Sequence, residues 1–242
     1  MITSTALRGL NLPSKTLCLT FDDGPGRSAT DSSGPKTVEI AKYLFEQDIV
    51  ATFFMVGKFI IKYPDIPGVL KSYGHLLGNH TMNHYKLTKK FINAEGEIID
   101  EDKLLLEFDS TENLLRNYGE MNTIFFRAPY GCMEPVLIDC LNRGLNSSNK
   151  YMGAIDWDID GKDWDYWTKP NNKAFQKCAK AYYKKIKKVN HGIILMHDSS
   201  AEEDSIGIGR KNNNNTLETI KMLVPKLKEE GYSFIGLDKI KF

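Results

Sequence analysis

Two adjacent carboxylates at the end of an apolar run are the feature that most constrains this chain. Residues 17–25 read Leu-Cys-Leu-Thr-Phe-Asp-Asp-Gly-Pro, so Asp22 and Asp23 follow a predicted buried strand and precede a Gly-Pro turn. Neighbouring anions repel each other, and the arrangement is unfavourable unless a cation or a shared proton offsets the repulsion. In an extended strand the two side chains point to opposite faces, which favours one as metal ligand and the other as base. This run alone leaves a plain surface turn open as the alternative.

A pair of histidines supplies ligands for such a cation. His80 and His84 stand four residues apart in the run Gly-Asn-His-Thr-Met-Asn-His of residues 78–84, and the chain has 5 histidines in all. On one helical turn, residues i and i+4 share a face, so both imidazoles can reach a single ion. The run lacks the Glu of a zinc-protease helix, so a base must come from elsewhere. A pair of solvated helix histidines is the structural alternative.

Three further apolar runs end in charged or aromatic residues. The first reaches Arg127 and an Ala-Pro-Tyr-Gly sequence, the second leads into an aspartate-rich segment with Trp164, and the third ends at His197. Barrels of parallel strands carry their chemistry at the carboxyl ends of the strands, while packing residues fill the interior. Helical patterns over residues 104–118, 134–143 and 216–230 and a strand over 233–237 add to this alternation. The pattern predicts one site assembled from several strand ends.

Taken in order, these motifs resemble those of polysaccharide deacetylases, the NodB-homology group of carbohydrate esterase family 4. They are Thr-Phe-Asp-Asp-Gly-Pro, His-Thr-x-x-His, Arg-x-Pro-Tyr, Asp-x-x-x-Trp and Leu-x-His-Asp, and the likeness runs from about residue 15 to the C-terminus. The resemblance implies an α/β fold, a distorted (β/α) barrel of about seven parallel strands. It also implies metal-dependent removal of acetyl groups from an N-acetylhexosamine-containing polysaccharide of the chitin or peptidoglycan kind.

The resemblance assigns roles to residues in three groups: metal ligands, proton-transfer residues and substrate contacts. The implied metal ligands are Asp23, His80 and His84. The implied proton-transfer residues are Asp22 as base, Arg127 orienting it, His197 as acid and Asp160 pairing with His197. The implied substrate contacts are Pro129, Tyr130 (through a backbone N–H to the oxyanion), Trp164 and Met196. Zinc is the expected ion, with cobalt, nickel or iron as substitutes.

The same residues suit amide hydrolysis on chemical grounds. Water attacks an amide slowly at neutral pH, so it must be made nucleophilic and the developing oxyanion must be stabilised. Two imidazoles and a carboxylate can hold a divalent ion with positions left for water and substrate. The permanently charged fork of Arg127 suits the carboxylate of Asp22, and a nearby aspartate favours the protonated form of His197. Asp158 lies two residues from Asp160 on the same strand face and is the alternative partner of His197.

Composition fits one soluble catalytic domain. The chain is 41% hydrophobic and 26% charged, and we treat residues 1–242 as a single domain with residues 1–14 as its N-terminal extension. The 32 basic and 31 acidic residues give a net charge of +1, which argues against nucleic acid or an anionic membrane as the main partner. An acetylated glycan is the expected partner, and the oligomeric state is left open. No stretch approaches the length of a transmembrane helix.

The compartment and the cysteine state are not decided by the sequence. Residues 1–4 do not begin a secretory signal, so the expectation is an extracellular or cell-envelope location if a leader is removed and the cytoplasm otherwise. The cysteines show no C-x-x-C spacing and allow three pairings or none. Polar residues 26–34 and 212–215 are expected to be loops. The four cysteines are Cys18, Cys132, Cys140 and Cys178.

Three other functions compete with the deacetylase interpretation. An enzyme of the same fold could hydrolyse a small amide or cyclic imide, which calls for extra closing loops or oligomer contacts. Two histidines and one carboxylate also satisfy the ligand set of an iron oxygenase, but Arg127, Asp160 and His197 have no role there. A carbohydrate-binding pseudoenzyme is the third, and the presence of the complete set of ligands and proton-transfer residues speaks against it.

Overall fold

The strands form one parallel sheet that curls into an incomplete barrel. The computed structural model describes residues 2–28, 34–167, 173–201 and 214–242. The sheet order is β1-β6-β5-β4-β3-β2-β8-β7, with β9 pairing β2, and every pair is parallel. The predicted distorted (β/α) barrel is confirmed. The strands are β1 (Ile2–Leu7), β2 (Thr16–Gly24), β3 (Thr52–Met55), β4 (Leu76–Asn79), β5 (Ile124–Phe126), β6 (Tyr151–Ile155), β7 (Ile159–Asp160), β8 (Gly192–His197) and β9 (Ser233–Phe234).

Helices follow most of the strands, because a parallel neighbour can be reached only by a crossover connection. Three of them match the helical patterns predicted over residues 104–118, 134–143 and 216–230 to within a few residues at each end. In the described residues the helices are α1 (Thr37–Glu46), α2 (Gly57–Lys62), α3 (Ile66–Ser72), α4 (Glu101–Arg116), α5 (Pro135–Gly144), α6 (Asp163–Tyr166), α7 (Ala174–Val189) and α8 (Thr216–Glu229).

β2 is the central strand, and its two faces pack into different cores. It pairs with β3 on one side and β8 on the other. Leu17, Leu19 and Phe21 pack into the largest apolar cluster together with residues of the covering helices. Cys18, on the opposite face, packs with side chains from β3, β5, β6 and β8 in the barrel interior. Asp22 continues this interior face, because side chains alternate along a strand.

The carboxyl ends of the strands bring the predicted site residues to one edge of the sheet. Asp22 and Asp23 directly precede Gly24, the last residue of β2, and His197 is the last residue of β8. His80 follows β4 directly, and Arg127 follows β5 directly. Since all strands run in the same direction, these groups meet at the same rim of the barrel.

The N-terminal residues belong to the sheet, and the cysteines form no disulfides. Strand β1 pairs with β6, so residues 2–7 of the predicted N-terminal extension belong to the sheet. The four cysteines are free thiols. Within the described ranges, no helix combines the length and apolar character needed to cross a lipid bilayer. Residues 29–33 and 212–213 of the two expected loops lie outside the described residues, and the extent of the single domain stays a prediction.

Phe53 of β3 is expected to contribute strongly to the stability of the main core. It is 1% exposed, and its ring stacks on that of Phe21 with centroids 5.0 Å apart. Phe53→Ala should lower the free energy of unfolding by about 3–5 kcal/mol, because the substitution leaves a cavity in a packed interior. Phe45→Ala on α1, where the side chain is 51% exposed, is the matched control and should cost less than about 1 kcal/mol. Urea unfolding measures both, and equal losses would contradict this packing.

Candidate active site

Asp23, His80 and His84 form a group that can hold a metal ion. One ligand atom from each residue lies within 4.8 Å of the other two. The Oδ1 atom of Asp23 is 3.2 Å from His84 Nε2 and 3.5 Å from His80 Nε2. Two imidazole nitrogens and one carboxylate oxygen suit a divalent transition metal, with further positions free for water or substrate. The donor set therefore fits the ion that the sequence predicts.

The orientation of His80 supports this fit. Its Nδ1 atom lies 2.8 Å from the backbone oxygen of Arg127. Because a carbonyl oxygen can only accept, Nδ1 carries the proton and the lone pair is left on Nε2, which faces Asp23. The His84 ring packs against the ring of Tyr130, with centroids 4.7 Å apart, and against that of His80 at 4.9 Å. Both imidazoles are thus held in place by protein contacts.

The two histidines lie on a loop, and the prediction that they share a helical turn is wrong. Residues 80–84, the histidine loop, follow β4 without regular secondary structure. Thr81 and His84 have φ angles of 66° and 59°, in the left-handed region. The Thr81 backbone N–H donates to Asn79 Oδ1, and the His84 N–H donates to Thr81 Oγ1. This turn chemistry, and not helical periodicity, brings the imidazoles together.

The prediction that Asp22 and Asp23 point to opposite faces is also wrong. The register of β2 against β3 shifts between Asp22 and Gly24, and Asp23 has a φ of 73°. This irregularity turns Asp23 toward the side of Asp22, so His80 Nε2 lies 3.5 Å from Asp23 Oδ1 and 3.8 Å from Asp22 Oδ2. Burial alone would raise the pKa of Asp23, but the imidazoles of His84 and His80 hold that pKa well below its usual range.

Arg127 is a fully buried cation that binds Asp22. Its Nη1 donates to Asp22 Oδ1 at 2.7 Å and to Thr20 Oγ1 at 2.8 Å, and its Nε donates to the Ile155 carbonyl at 3.1 Å. The guanidinium carbon lies 4.3 Å from the centroid of the Phe54 ring. The side chain is 0% exposed. This is the contact with Asp22 that the sequence predicts, and it fixes the carboxyl group in one orientation.

His197 pairs with Asp163, and the predicted pairing with Asp160 is not what the structure has. His197 Nδ1 lies 2.8 Å from Asp163 Oδ1, and the His197 backbone N–H donates to Asp163 Oδ2 at 2.7 Å. Asp160 instead accepts a hydrogen bond from the Lys162 backbone N–H, in a turn where Lys162 has a φ of 57°. That turn carries the chain from β7 to Asp163 at the start of α6.

The alternative partner Asp158 does not reach His197 either. Its Oδ2 accepts from the backbone N–H groups of Gly9 and Ile193 at 2.9 and 2.8 Å. Asp163 was not among the predicted partners, because the motif match points only to Asp158 and Asp160. The available signal was the position of Asp163 directly before Trp164, which is the residue that fixes the alignment of the motif.

The environment of His197 favours its protonated form. Burial would lower the pKa, but the charge and hydrogen bond of Asp163 outweigh it and, with Asp23 and Asp22, raise the pKa of His197 to about 10. The edge of the buried Trp167 ring packs against the imidazole, with centroids 6.2 Å apart. Asp22 and His197 are register partners on adjacent strands β2 and β8, so they flank the same position at the rim.

A cleft of about 370 Å³ opens at this rim. Tyr130 and Trp164 lie at its mouth, 52% and 37% exposed. Two predicted substrate contacts are placed elsewhere: Met196 packs into the main core, and Pro129 is buried and does not line the cleft. The cleft is lined by Asp22, Asp23, His80, His84, Tyr130, Gly131, Trp157, Asp160, Trp164, Trp167, Leu195, His197 and Ser200.

Leu195 takes the position that the resemblance gives to Met196. Side chains alternate along a strand, so the residue two before His197 shares its face and the residue directly before it does not. The strand period of β8 was therefore enough to choose Leu195. Asp160 does line the cleft, although it does not contact His197.

Comparison with known proteins gives matches over most of the chain. A sequence model of a family described as polysaccharide deacetylase matches residues 9–143. A peptidoglycan-N-acetylglucosamine deacetylase of Bacillus cereus is 30% identical over 222 residues, covering 91% of this chain and 68% of that protein. A chitooligosaccharide deacetylase of Azorhizobium caulinodans is 28% identical over 223 residues, covering 90% of each. A solved polysaccharide deacetylase of Bacillus cereus superposes with a TM-score of 0.67 at 26% identity, covering 93% of this chain and 94% of its own.

Asp163→Asn is expected to lower the pKa of His197, because it removes the anion that outweighs burial. NMR titration of the imidazole in metal-free protein measures this pKa, with His197→Gln used to assign the signal. Asp160→Asn is the matched control and should leave the value unchanged. A pKa that falls in Asp160→Asn and not in Asp163→Asn would contradict the observed pairing.

The same pair predicts how stability depends on pH. The folded pKa of about 10 lies above the unfolded value of about 6.5, so the ion pair contributes fully below the unfolded value. The contribution should disappear as the pH rises from about 6.5 to 10. This loss should be smaller in Asp163→Asn, as measured by urea unfolding across that range.

Proposed function

Because this chain belongs to the polysaccharide deacetylase family, we propose that it removes acetyl groups from the N-acetylhexosamine units of a peptidoglycan- or chitin-like polymer, using a bound metal ion. One observation carries the proposal. The candidate metal ligands line the same cleft as Asp22 and His197. Asp22 is an acidic residue paired with the cation Arg127, and His197 is a basic residue paired with the anion Asp163. Amide hydrolysis needs a proton acceptor and a proton donor beside one reaction centre, and these pairs provide them.

Asp23, His80 and His84 would hold the metal ion. When bound, such an ion polarises the amide carbonyl and makes water nucleophilic at neutral pH. Zinc is the proposed metal, because mixed imidazole and carboxylate sites suit it; cobalt, nickel and iron satisfy the same donors. The Ala201 backbone N–H donates to Asp23 Oδ2 at 3.2 Å, so the second oxygen of that carboxylate is already engaged by the protein.

Asp22 acts as the base that takes the proton of the attacking water. Its Oδ1 is bound by Arg127, while its Oδ2 lies on the side of His80 and lines the cleft. The guanidinium is a planar cation whose N–H groups match a carboxylate in charge and geometry. It also prevents the carboxyl group from rotating away from the cleft.

His197 acts as the acid that protonates the departing amine. Its Nδ1 is engaged by Asp163, so Nε2 is the ring nitrogen left to donate a proton. The edge contact with Trp167 and the bond to Asp163 fix the plane of the ring. The nitrogen of an amide leaves readily only after it has been protonated, and His197 supplies that proton.

The cleft favours a glycan over a small amide as substrate. It is open, and Tyr130 and Trp164 present aromatic surface at its mouth, where a sugar ring can pack. The relatives named above act on peptidoglycan and on chitooligosaccharides, both of which carry N-acetylated hexosamines. An iron oxygenase would use the same three ligands but would leave both ion pairs without a role.

The direct test is acetate release from a panel of acetylated glycans by the protein loaded with zinc. Fragments of peptidoglycan and chitin should release acetate, and acetylated xylan serves as the ester comparison. Asp22→Asn should lose activity by a factor of about 10²–10⁴ while keeping its metal, because only the base is removed. Asp23→Asn and His84→Ala should lose the metal itself, measured by mass spectrometry.

Two outcomes would contradict the proposal. A protein that holds its metal and releases acetate from none of the glycans would be a binding protein. An Asp22→Asn variant that loses its ion while Asp23→Asn keeps it would reverse the two roles.

His197→Ala should separate substrates by their leaving group. Turnover of an amide should fall by a factor of about 10²–10⁴, the usual effect of removing a general acid. Turnover of an aryl acetate should fall much less, since a phenolate leaves without a proton. Steady-state kinetics on both substrates measures the difference, with metal content as the control. Equal losses on the two substrates would show that His197 has another role.

A further inference from the structure

Glu107 is a buried acidic residue that none of the steps above uses. It lies on α4 and is 3% exposed. Its Oε2 accepts a hydrogen bond from the Asn83 backbone N–H at 2.8 Å, and its Oε1 accepts from Asn83 Nδ2 at 2.7 Å. Both carboxyl oxygens therefore bind one residue, which directly precedes His84 in the histidine loop.

The histidine loop depends on contacts from outside itself. Thr81 and His84 adopt left-handed backbone angles, which are strained for residues other than glycine and persist only where the surroundings fix them. The hydrogen bond from the His84 N–H to Thr81 Oγ1 is internal to the loop, and the bond from the Thr81 N–H reaches Asn79, the last residue of β4. Neither bond attaches the His84 end of the loop to the elements around it. The attachment must come from neighbouring elements.

On one side, the start of α2 binds the backbone of the loop. The Gly57 N–H donates to the Thr81 carbonyl and the Lys58 N–H to the Met82 carbonyl, each at 3.0 Å. A Cβ at Gly57 would lie 2.4 Å from Met82 Sδ and 2.7 Å from Thr111 Oγ1, so α2, the loop and α4 are in close contact here. The Thr111 hydroxyl donates to the backbone oxygen of Glu107 at 3.2 Å.

On the other side, Glu107 is the buried side chain that binds the segment next to the second ligand. The side chain of Asn83 is exposed, so water competes for its amide, and a paired acceptor on a rigid helix is needed to hold it. Both donors of Asn83 are N–H groups, and two carboxyl oxygens match them without rearrangement. In Glu107→Gln the amide NH₂ group would face one of the two N–H donors of Asn83, so one hydrogen bond would be lost.

We propose that Glu107 is a positioning residue of the metal site: by fixing Asn83 it sets the direction of the His84 imidazole toward Asp23. This inference rests on the metal site of the proposed function. Partners that orient metal ligands typically change metal affinity by about 10–100-fold when they are replaced. Glu107 acts through the backbone of Asn83, which directly precedes the ligand His84. Its replacement is therefore expected to change the affinity for the ion.

The test is a titration of metal-free protein with Co²⁺, followed by calorimetry and by visible absorption. Glu107→Gln should raise the Kd by a factor of about 10–100 and change the absorption spectrum of the bound ion. Asn83→Ala removes one of the two hydrogen bonds from an exposed position and should change both readouts in the same direction by less. Asp102→Asn, an exposed carboxylate on the same helix, is the matched control and should behave as the wild type.

The outcomes separate this inference from the proposed function. Wild-type protein that fails to bind Co²⁺ would overturn the proposed metal site and this role with it. Wild-type binding with unchanged Kd and spectrum in Glu107→Gln and Asn83→Ala would overturn the role of Glu107 alone, even if both variants unfold at a lower temperature. Should Glu107→Gln fail to fold, Asn83→Ala decides the question, since its side chain is on the surface.

Discussion

The buried ion pair between the Arg127 guanidinium and Asp22 is the interaction on which the site depends. The guanidinium cannot lose its proton, so placing it in the barrel interior requires an anion and enough acceptors to replace water. Asp22 and Thr20 on β2 and the Ile155 carbonyl on β6 supply them, and the Phe54 ring covers one face. Removing one partner of such a buried pair typically costs about 3–5 kcal/mol. Asp22, the proposed base, is therefore also part of what makes the interior stable.

The same residue connects the base to the metal ligands through its backbone. The Arg127 side chain holds Asp22, while its carbonyl oxygen fixes the tautomer of His80. Five residues in the left-handed region lie at or shortly after the carboxyl ends of β2, β4, β5 and β7, namely Asp23, Thr81, His84, Tyr130 and Lys162. At each of these positions the left-handed backbone turns the chain. A continued strand would instead direct the following residues away from the rim. Local strain at the rim is thus offset by the packed strands beneath it.

The sequence predicts the fold class and the rim location because both depend on regular patterns. Apolar runs ending in chemical groups indicate parallel strands, and parallel strands place those ends together. Two of the errors fall where the chain departs from a regular period. The irregularity at Asp23 cancels the expected alternation with Asp22, and the loop at residues 80–84 replaces the expected helical turn.

Asp163 and Leu195 show two different reasons for error. Asp163 reaches His197 only because Asp160 caps a turn with left-handed Lys162, and no periodicity encodes that turn. Leu195 could have been chosen from the sequence, because the alternation of β8 puts it on the face of His197. The motif match gives Met196, the residue directly before His197, because it does not take this alternation into account. For Asp163 the only sequence signal is its position directly before Trp164, whereas for Leu195 the regular period of the strand is sufficient.

Register explains why one cleft can contain both an acid and a base. Asp22 and His197 are paired across β2 and β8, and neighbouring strands lie about 4.8 Å apart, so both groups line the same part of the cleft. A slip of one residue would turn His197 to the opposite face and bring Met196 into the cleft. The apolar packing of Met196 in the main core and of Ile193 in the barrel interior prevents that slip. The core therefore determines the composition of the cleft, because it fixes which side chains of β8 face it.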